Sequence, residues 1–156
     1  NDLSLWYQQL LGESLGKKGK GINLILSNEP RDHHSVLQLY LDGPKDKFFT
    51  FFETTNKKSN YKVANQIIPK NMKFIKNKNI NSIIKAQSNA VKKIFFNDKI
   101  PFRQFLFNKK NEEELGKIFT FLVLETILLA RLMKINPFDQ PAVEKIKVET
   151  KRILSK

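Results

Sequence analysis

The sequence contains no cysteine among its 156 residues. This absence excludes disulfide bonds and metal sites with cysteine ligands, and it fits a reducing, cytoplasmic environment. Histidine occurs only twice, and no cluster of metal-binding side chains is visible. The chain also does not open with a secretory signal. The sequence therefore predicts a cytoplasmic protein without a cysteine-ligated metal site.

A long hydrophobic run is also missing. The longest apolar stretch, Ile118 to Ala130, is interrupted by Glu125 and followed by Arg131. A membrane-spanning helix needs about 20 predominantly apolar residues, so this stretch predicts a buried helix of a soluble protein, with no membrane partner. The apolar fraction of 40% and 13 phenylalanines support a packed core.

Acidic residues are scarce relative to basic ones. The chain has 28 Lys and Arg against 15 Asp and Glu, a formal charge of +13. Such an excess is typical of proteins that bind nucleic acid or small anions such as sugar phosphates. Many of the lysines are scattered among asparagines, as in Lys57–Asn60 and Lys70–Asn81, with little aromatic interleaving and without an Arg-rich face, which disfavours nucleic acid. A basic nucleic-acid-associated domain stays open as an alternative, with a steep salt dependence of DNA binding as its signature.

Hydrophobic periodicity and turn residues predict an alternation of strands and helices. The predicted strands are Ile22–Leu26, Lys47–Glu53 and Pro101–Phe107. The predicted helices cover residues 3–15, 33–41, 81–96, 111–135 and 141–154, and the polar stretch 54–79 is expected to be irregular with one short element. This order predicts an α/β fold, a three-layer α/β/α sandwich with a mostly parallel sheet, in a single domain.

The last two predicted helices carry apolar residues that should be covered. The helix at 111–135 is apolar on nearly all sides, so we expect other elements to enclose it. In the final helix, four apolar residues are expected to point inward: Val143, Ile146, Ile153 and Leu154.

Several residues are candidates for chemistry, although their spacing alone defines no site. Glu13 lies near the end of the first helix, His33 and His34 follow the first predicted strand, and Lys147 lies in the last helix. Because adjacent helical side chains point about 100° apart, at most one of the two histidines can face a given site. The lysine-rich loop Gly16–Gly21 lacks the Gly-Lys-Ser/Thr ending of a nucleotide-binding loop and precedes a predicted strand rather than a helix.

Three segments, in the same order, resemble the C-terminal sugar-isomerase (SIS) domain of phosphoglucose isomerase, also called glucose-6-phosphate isomerase. They are Gln8–Lys17, which contains Glu-Ser-Leu-Gly-Lys; Arg31–Leu39, which contains Asp-His-His-Ser; and Asn136–Lys147, which contains Phe-Asp-Gln-Pro-Ala-Val-Glu. Ala142 stands where many members of the family have glycine. Because the chain begins at Asn1 within a helical pattern and without methionine, we interpret it as a C-terminal fragment of such an enzyme.

The resemblance implies interconversion of glucose 6-phosphate and fructose 6-phosphate through a cis-enediol. It assigns Glu13 as the catalytic base and His34 as the group that moves the ring-oxygen proton. Lys147 would assist ring opening and favour negative charge on oxygen. Gln9 and Gln140 are implied as substrate-binding residues, and the implied reaction needs neither a metal nor another cofactor.

The resemblance also implies partners. In the family a second sugar-isomerase domain upstream supplies a Ser/Thr-rich phosphate-binding loop and an arginine, and this sequence has no such loop. We therefore expect the chain to need that N-terminal domain and to be inactive alone. The family's histidine reaches the site from a neighbouring subunit, so a homodimer with His34 acting across the interface is implied. The alternative is a non-catalytic module of the same fold that binds sugar phosphates and has a regulatory role.

Overall fold

The computed structural model describes residues 2–55, 59–64 and 68–155. Its helices are α1 (Asp2–Leu15), α2 (Leu37–Asp42), α3 (Ile80–Asn97), α4 (Glu112–Leu132) and α5 (Pro141–Leu154), and its strands are β1 (Phe49–Thr54) and β2 (Phe102–Phe107). The chain divides into two compact units. The first combines Asn1–Leu26 with Leu115–Lys156, and the second is Ser27–Glu114. The predicted mixed α/β class with parallel strand pairing is confirmed.

The second unit contains the sheet. β1 and β2 pair in parallel, with Phe49 opposite Phe102 and Thr54 opposite Phe107. Parallel neighbours need a long crossover connection, and here that connection includes α3. Because side chains alternate along a strand, Phe49 and Phe51 lie on the sheet face that contacts Phe95 of α3, at ring-centroid distances of 4.7 and 5.8 Å.

The core of the second unit is aromatic and small. Its buried residues are Tyr40, Val91, Phe95 and Ile100. Phenylalanines of both strands supply much of the remaining packing, namely Phe49, Phe51 and Phe102, and Phe49 also contacts the ring of Tyr40 at 5.0 Å.

In the first unit, α1 packs on α4. The buried residues of α4 recur every four positions, which places them on one face: Ile118, Leu122, Thr126 and Ala130. From α1, Tyr7, Leu11 and Leu15 are buried. Two contacts join the helices directly, because Tyr7 Oη donates to Glu125 Oε2 at 2.8 Å and the ring centroids of Trp6 and Phe119 lie 4.5 Å apart.

The predicted strand at Ile22–Leu26 is wrong. A buried strand needs ladder hydrogen bonds and cover on its faces, but this segment has irregular backbone, and Ile22 and Ile25 are 40% and 58% exposed. The carbonyl of Leu24 accepts a hydrogen bond from the Gln8 side chain at 2.7 Å instead. The segment is thus tied to α1 and pairs with no other part of the described chain as a strand.

The helix predicted at 33–41 is interrupted. Arg31–His34 forms a 3₁₀ turn, and α2 begins only at Leu37. Asp32 is the reason for the early turn, since its side chain accepts a hydrogen bond from the backbone N–H of Asn28 at 2.6 Å and its carbonyl accepts one from Ser35.

The predicted burial holds for one face of α4 only, and for α5 it is wrong. On α4 the face opposite the buried stripe is open, with Leu124, Leu128 and Leu132 exposed by 55%, 62% and 80%. No residue of α5 is buried, and the four side chains predicted to point inward are all exposed. An amphipathic pattern shows which face could be covered, whereas the presence of a covering element depends on the tertiary structure.

Between the two strands, a 3₁₀ helix at Lys70–Ile75 lies where the sequence predicts a short element within the polar stretch 54–79. Parts of that stretch, at 56–58 and 65–67, lie outside the described residues, as do positions 1 and 156. Over the described part of the chain, none of the helices combines the length and the apolar character needed to cross a bilayer.

Candidate functional site

The carboxylate of Glu13 lies between two side-chain amides. Gln9 Nε2 donates to Glu13 Oε1 at 2.8 Å, and Gln140 Nε2 donates to Oε2 at 3.0 Å. Gln9 reaches Glu13 because residues four apart on a helix are neighbours on its surface. Each carboxylate oxygen therefore has its own amide partner. The two hydrogen bonds fix the orientation of the carboxylate, while Glu13 stays exposed to solvent.

Gln140 reaches Glu13 because of the turn that joins α4 to α5. The side chain of Asn136 accepts a hydrogen bond from the backbone N–H of Phe138 at 3.1 Å, which closes a local turn. Pro141 occupies the first turn of α5, where a missing N–H costs nothing. Gln140 is thereby held at the start of α5, facing the end of α1.

A lysine from the loop after α1 binds the same turn. Lys17 Nζ lies 3.0 Å from Asp139 Oδ1 and 2.5 Å from the carbonyl of Asn136. The hydrogen bond from Lys17 and its positive charge lower the pKa of the Asp139 carboxyl. The Lys17 side chain is only 9% exposed, although its charge would favour solvent.

Lys147 belongs to the same unit but has a different partner. Its ammonium group pairs with Glu144 Oε1 at 2.5 Å, one turn earlier on α5, and both side chains are about two-thirds exposed. Among the described residues, Glu13 bonds to the two glutamines and forms no ion pair with Lys147.

The two histidines belong to the second unit and have different environments. His33 Nε2 lies 3.4 Å from Glu29 Oε1, with its side chain 14% exposed, whereas His34 is exposed. The two adjacent histidines thus have different surroundings, and His34 is the more exposed of the two.

Of the five residues nominated from the sequence, the structure brings three together: Gln9, Glu13 and Gln140. Lys17 and Asp139, which hold this group, were not nominated. The density of lysine and glycine at Gly16–Gly21 is the feature of the sequence that marks this loop.

A second polar cluster lies in the other unit, around Glu53 of β1. Its carboxylate accepts hydrogen bonds from Lys92 at 2.6 and 2.8 Å, from Gln104 at 2.7 Å and from Ser88. Burial alone would raise the pKa of Glu53, but the hydrogen bonds from Lys92 and Ser88 lower it below its ordinary value. The cluster joins both strands to α3.

Comparison with known proteins shows close sequence relatives, although no family profile matches the chain. It is 33% identical over 140 residues to a probable glucose-6-phosphate isomerase of Methanococcus maripaludis, and 34% identical over 146 residues to the glucose-6-phosphate isomerase of Methanocaldococcus jannaschii. These matches cover 90% and 91% of this chain but only 31% and 35% of the relatives. The enzyme of Campylobacter jejuni is 32% identical, over 96% of this chain and 38% of its own length.

The fold has a solved counterpart. A hypothetical protein of Thermus thermophilus superposes with a TM-score of 0.86 over 99% of this chain and 38% of that one, at 24% sequence identity. At that identity the likeness concerns the fold alone. The sequence relatives lead to one conclusion: the chain belongs to the glucose-6-phosphate isomerase family, and it spans about a third of the length of the curated relatives it matches.

Proposed function

We propose that this chain forms part of an aldose–ketose isomerase that interconverts glucose 6-phosphate and fructose 6-phosphate, with Glu13 as the base. The observation that carries the proposal is the carboxylate of Glu13 held between the amides of Gln9 and Gln140. A base that moves a proton between neighbouring carbons must keep its orientation through both transfers, and two fixed amide donors support that orientation.

In the proposed reaction, Glu13 removes the proton from C2 of the open-chain aldose, which leaves the cis-enediol in its ionised form. The hydroxyl proton of O2 then moves to O1, and Glu13 returns its proton to C1, which gives the ketose. Removal of the proton shifts electron density onto the adjacent carbonyl oxygen, which needs a positive partner. Lys147 is proposed for this part. Its present pairing with Glu144 is a solvent-exposed one, which is worth about 0.3–0.5 kcal/mol, so a substrate oxygen can displace it.

His34 is proposed to move the ring-oxygen proton when the sugar opens. An imidazole can both accept and donate a proton, which suits transfer in both directions. Its exposure leaves the ring accessible to a sugar bound by another copy of the chain. We therefore propose a homodimer in which each active site combines Glu13 of one subunit with His34 of the other, together with a further domain that binds the phosphate.

The proposal is tested by Glu13→Gln in the intact protein. A positioned general base contributes about 10²–10⁴-fold, so the turnover of fructose 6-phosphate should fall by at least about 100-fold. The matched control is Glu149→Gln, because Glu149 is an exposed glutamate of α5 paired only with Arg152 in the described structure. Undiminished turnover in Glu13→Gln would refute the role of Glu13. A wild-type protein that binds the sugar phosphate without isomerising it would identify the regulatory module instead.

The shared active site is tested by mixing two inactive variants, Glu13→Gln and His34→Ala. In a mixed dimer, one of the two sites receives both wild-type residues. Random exchange of subunits should therefore restore about a quarter of the wild-type turnover. If mixing restores no activity although the subunits exchange, His34 acts within its own chain or not at all.

A further inference from the structure

We infer that Lys17 is a positioning residue for the Glu13 site, because its ammonium group holds the turn that carries Gln140 to Glu13. The effect on turnover rests on the proposed function, whereas the effect on the position of Gln140 does not.

The lysine-rich loop is a tight hairpin. Lys17 and Lys20 exchange backbone hydrogen bonds of 3.0 and 2.9 Å. The two residues between them, Lys18 and Gly19, have φ angles of +54° and +70°, as a type I′ turn requires at both central positions. Residues that flank such a turn are direct cross-strand partners, so their side chains leave the hairpin on the same side.

Both flanking lysines bind the segment that follows α4. Lys20 Nζ donates to the carbonyl of Met133 at 2.7 Å, and Lys17 Nζ donates to that of Asn136. Helix ends leave carbonyls without an intrahelical partner, and lysines are favourable there because the helix dipole is negative at this end. The hairpin thus fixes the direction in which the chain leaves α4.

Only Lys17 also controls the residue next to Gln140. Its second partner is the carboxylate of Asp139, which directly precedes Gln140 in the chain. Without the ammonium group, segment 136–139 loses its contacts to Lys17, one at the carbonyl of Asn136 and one at the carboxylate of Asp139. The side chain of Gln140 is then free to leave Glu13. Gln9 would stay in place, because α1 alone positions it.

A general stabilising effect would be a different explanation, and the chain offers a matched control for it. Lys20→Met also removes one lysine–carbonyl contact of the hairpin. The carbonyl concerned is that of Met133, which precedes Asn136 by three residues. Lys17→Met keeps the aliphatic stem of the side chain and removes its charge. Lys17→Arg keeps a positive charge at this position, so it tests whether charge alone maintains the position of Gln140 and the turnover.

The experiment compares these variants in the intact protein by crystal structure and by kinetics. In Lys17→Met, the distance from Gln140 Nε2 to Glu13 Oε2 should exceed about 3.5 Å, the limit of a hydrogen bond, and kcat should fall about 10-fold with a smaller change in KM. Lys20→Met should leave the distance from Gln140 to Glu13 and the value of kcat unchanged. Lys17→Arg should recover most of the kcat that Lys17→Met loses.

A double-mutant cycle completes the test. If Lys17 acts through Gln140, the loss in Lys17→Met/Gln140→Ala should be no greater than in Gln140→Ala alone. Additive losses, or an unchanged Gln140 position in Lys17→Met, would overturn the inference. If Glu13→Gln keeps full activity, the proposed function fails, and the crystal structures still decide whether Lys17 places Gln140.

Discussion

The open outer face of α4 gives a sharp stability prediction, because the same helix carries leucines in opposite environments. Leu122 is 0% exposed and Leu128 is 62% exposed. Truncating a fully buried leucine to alanine removes its transfer free energy and leaves a cavity, at a cost of about 2.7–5 kcal/mol. We expect a loss in this range for Leu122→Ala.

Leu128→Ala should cost much less. The three carbons lost are worth about 2.4 kcal/mol when fully buried, and Leu128 keeps little more than a third of its surface covered, so the transfer term is about 1 kcal/mol. No enclosed cavity forms at such a site, and the slightly higher helix propensity of alanine offsets part of the loss.

Urea unfolding of both variants, followed by circular dichroism, measures the two free energies of unfolding under identical conditions. A cost for Leu128→Ala equal to that for Leu122→Ala would refute the description of this face as open, since it would mean that another molecule or segment covers it in solution. A cost below about 1 kcal/mol for Leu122→Ala would refute the α1–α4 packing.

Three further predictions concern the polar contacts and the glycines. Lys92→Met should destabilise the chain by roughly 1–3 kcal/mol, because it leaves the half-buried carboxylate of Glu53 without its charged partner. Gly16→Ala should destabilise the chain in thermal unfolding, since the added Cβ would lie 2.7 Å from the carbonyl of Gly12, whereas Gly12→Ala meets no atom within 4 Å and should be stabilising by up to about 1 kcal/mol. Asp139→Asn should remove part of the acid sensitivity of folding. The folded-state pKa of Asp139 is lowered, so its contribution is fully present above the ordinary pKa of 3.8 and is lost as the pH falls through the folded-state value.

The controls for these predictions are direct. Equal stability of Lys92→Met and wild type would show that the Glu53 cluster is not held by charge. Gly16→Ala and Gly12→Ala with the same melting temperature would contradict the close approach at Gly16. Urea unfolding between pH 3 and 7 tests Asp139→Asn. If its free energy of unfolding depends on pH as that of the wild type does, the pairing of Asp139 with Lys17 is not a source of the acid sensitivity.

Local sequence determined where several of the helices begin and end. The last helix begins at Pro141 and ends at Leu154 as predicted, because proline is favoured in the first turn and the pattern continues to the end. The start of α4 was equally clear, since the side chain of Asn111 caps the helix by accepting from the N–H of Glu114 at 3.1 Å. Such signals are complete within a few residues, so they need no tertiary context.

The tertiary structure decided which of the apolar patterns in the sequence became paired strands or buried helix faces. The apolar run at Ile22–Leu26 suits a strand, but a strand also requires a neighbour, and the sequence of one segment cannot supply it. For the same reason, the apolar side of α5 indicated a face that could be buried, and the structure leaves it exposed.

The candidate site shows the same division. The sequence by itself determined the residue types, and the resemblance of three segments to one enzyme family nominated Glu13, His34 and Lys147. It could not place Gln140 against Glu13, because 127 positions separate them and their contact depends on the turn after α4. That turn is held by the buried ammonium group of Lys17, whose role exists only once the hairpin and the end of α4 meet in space.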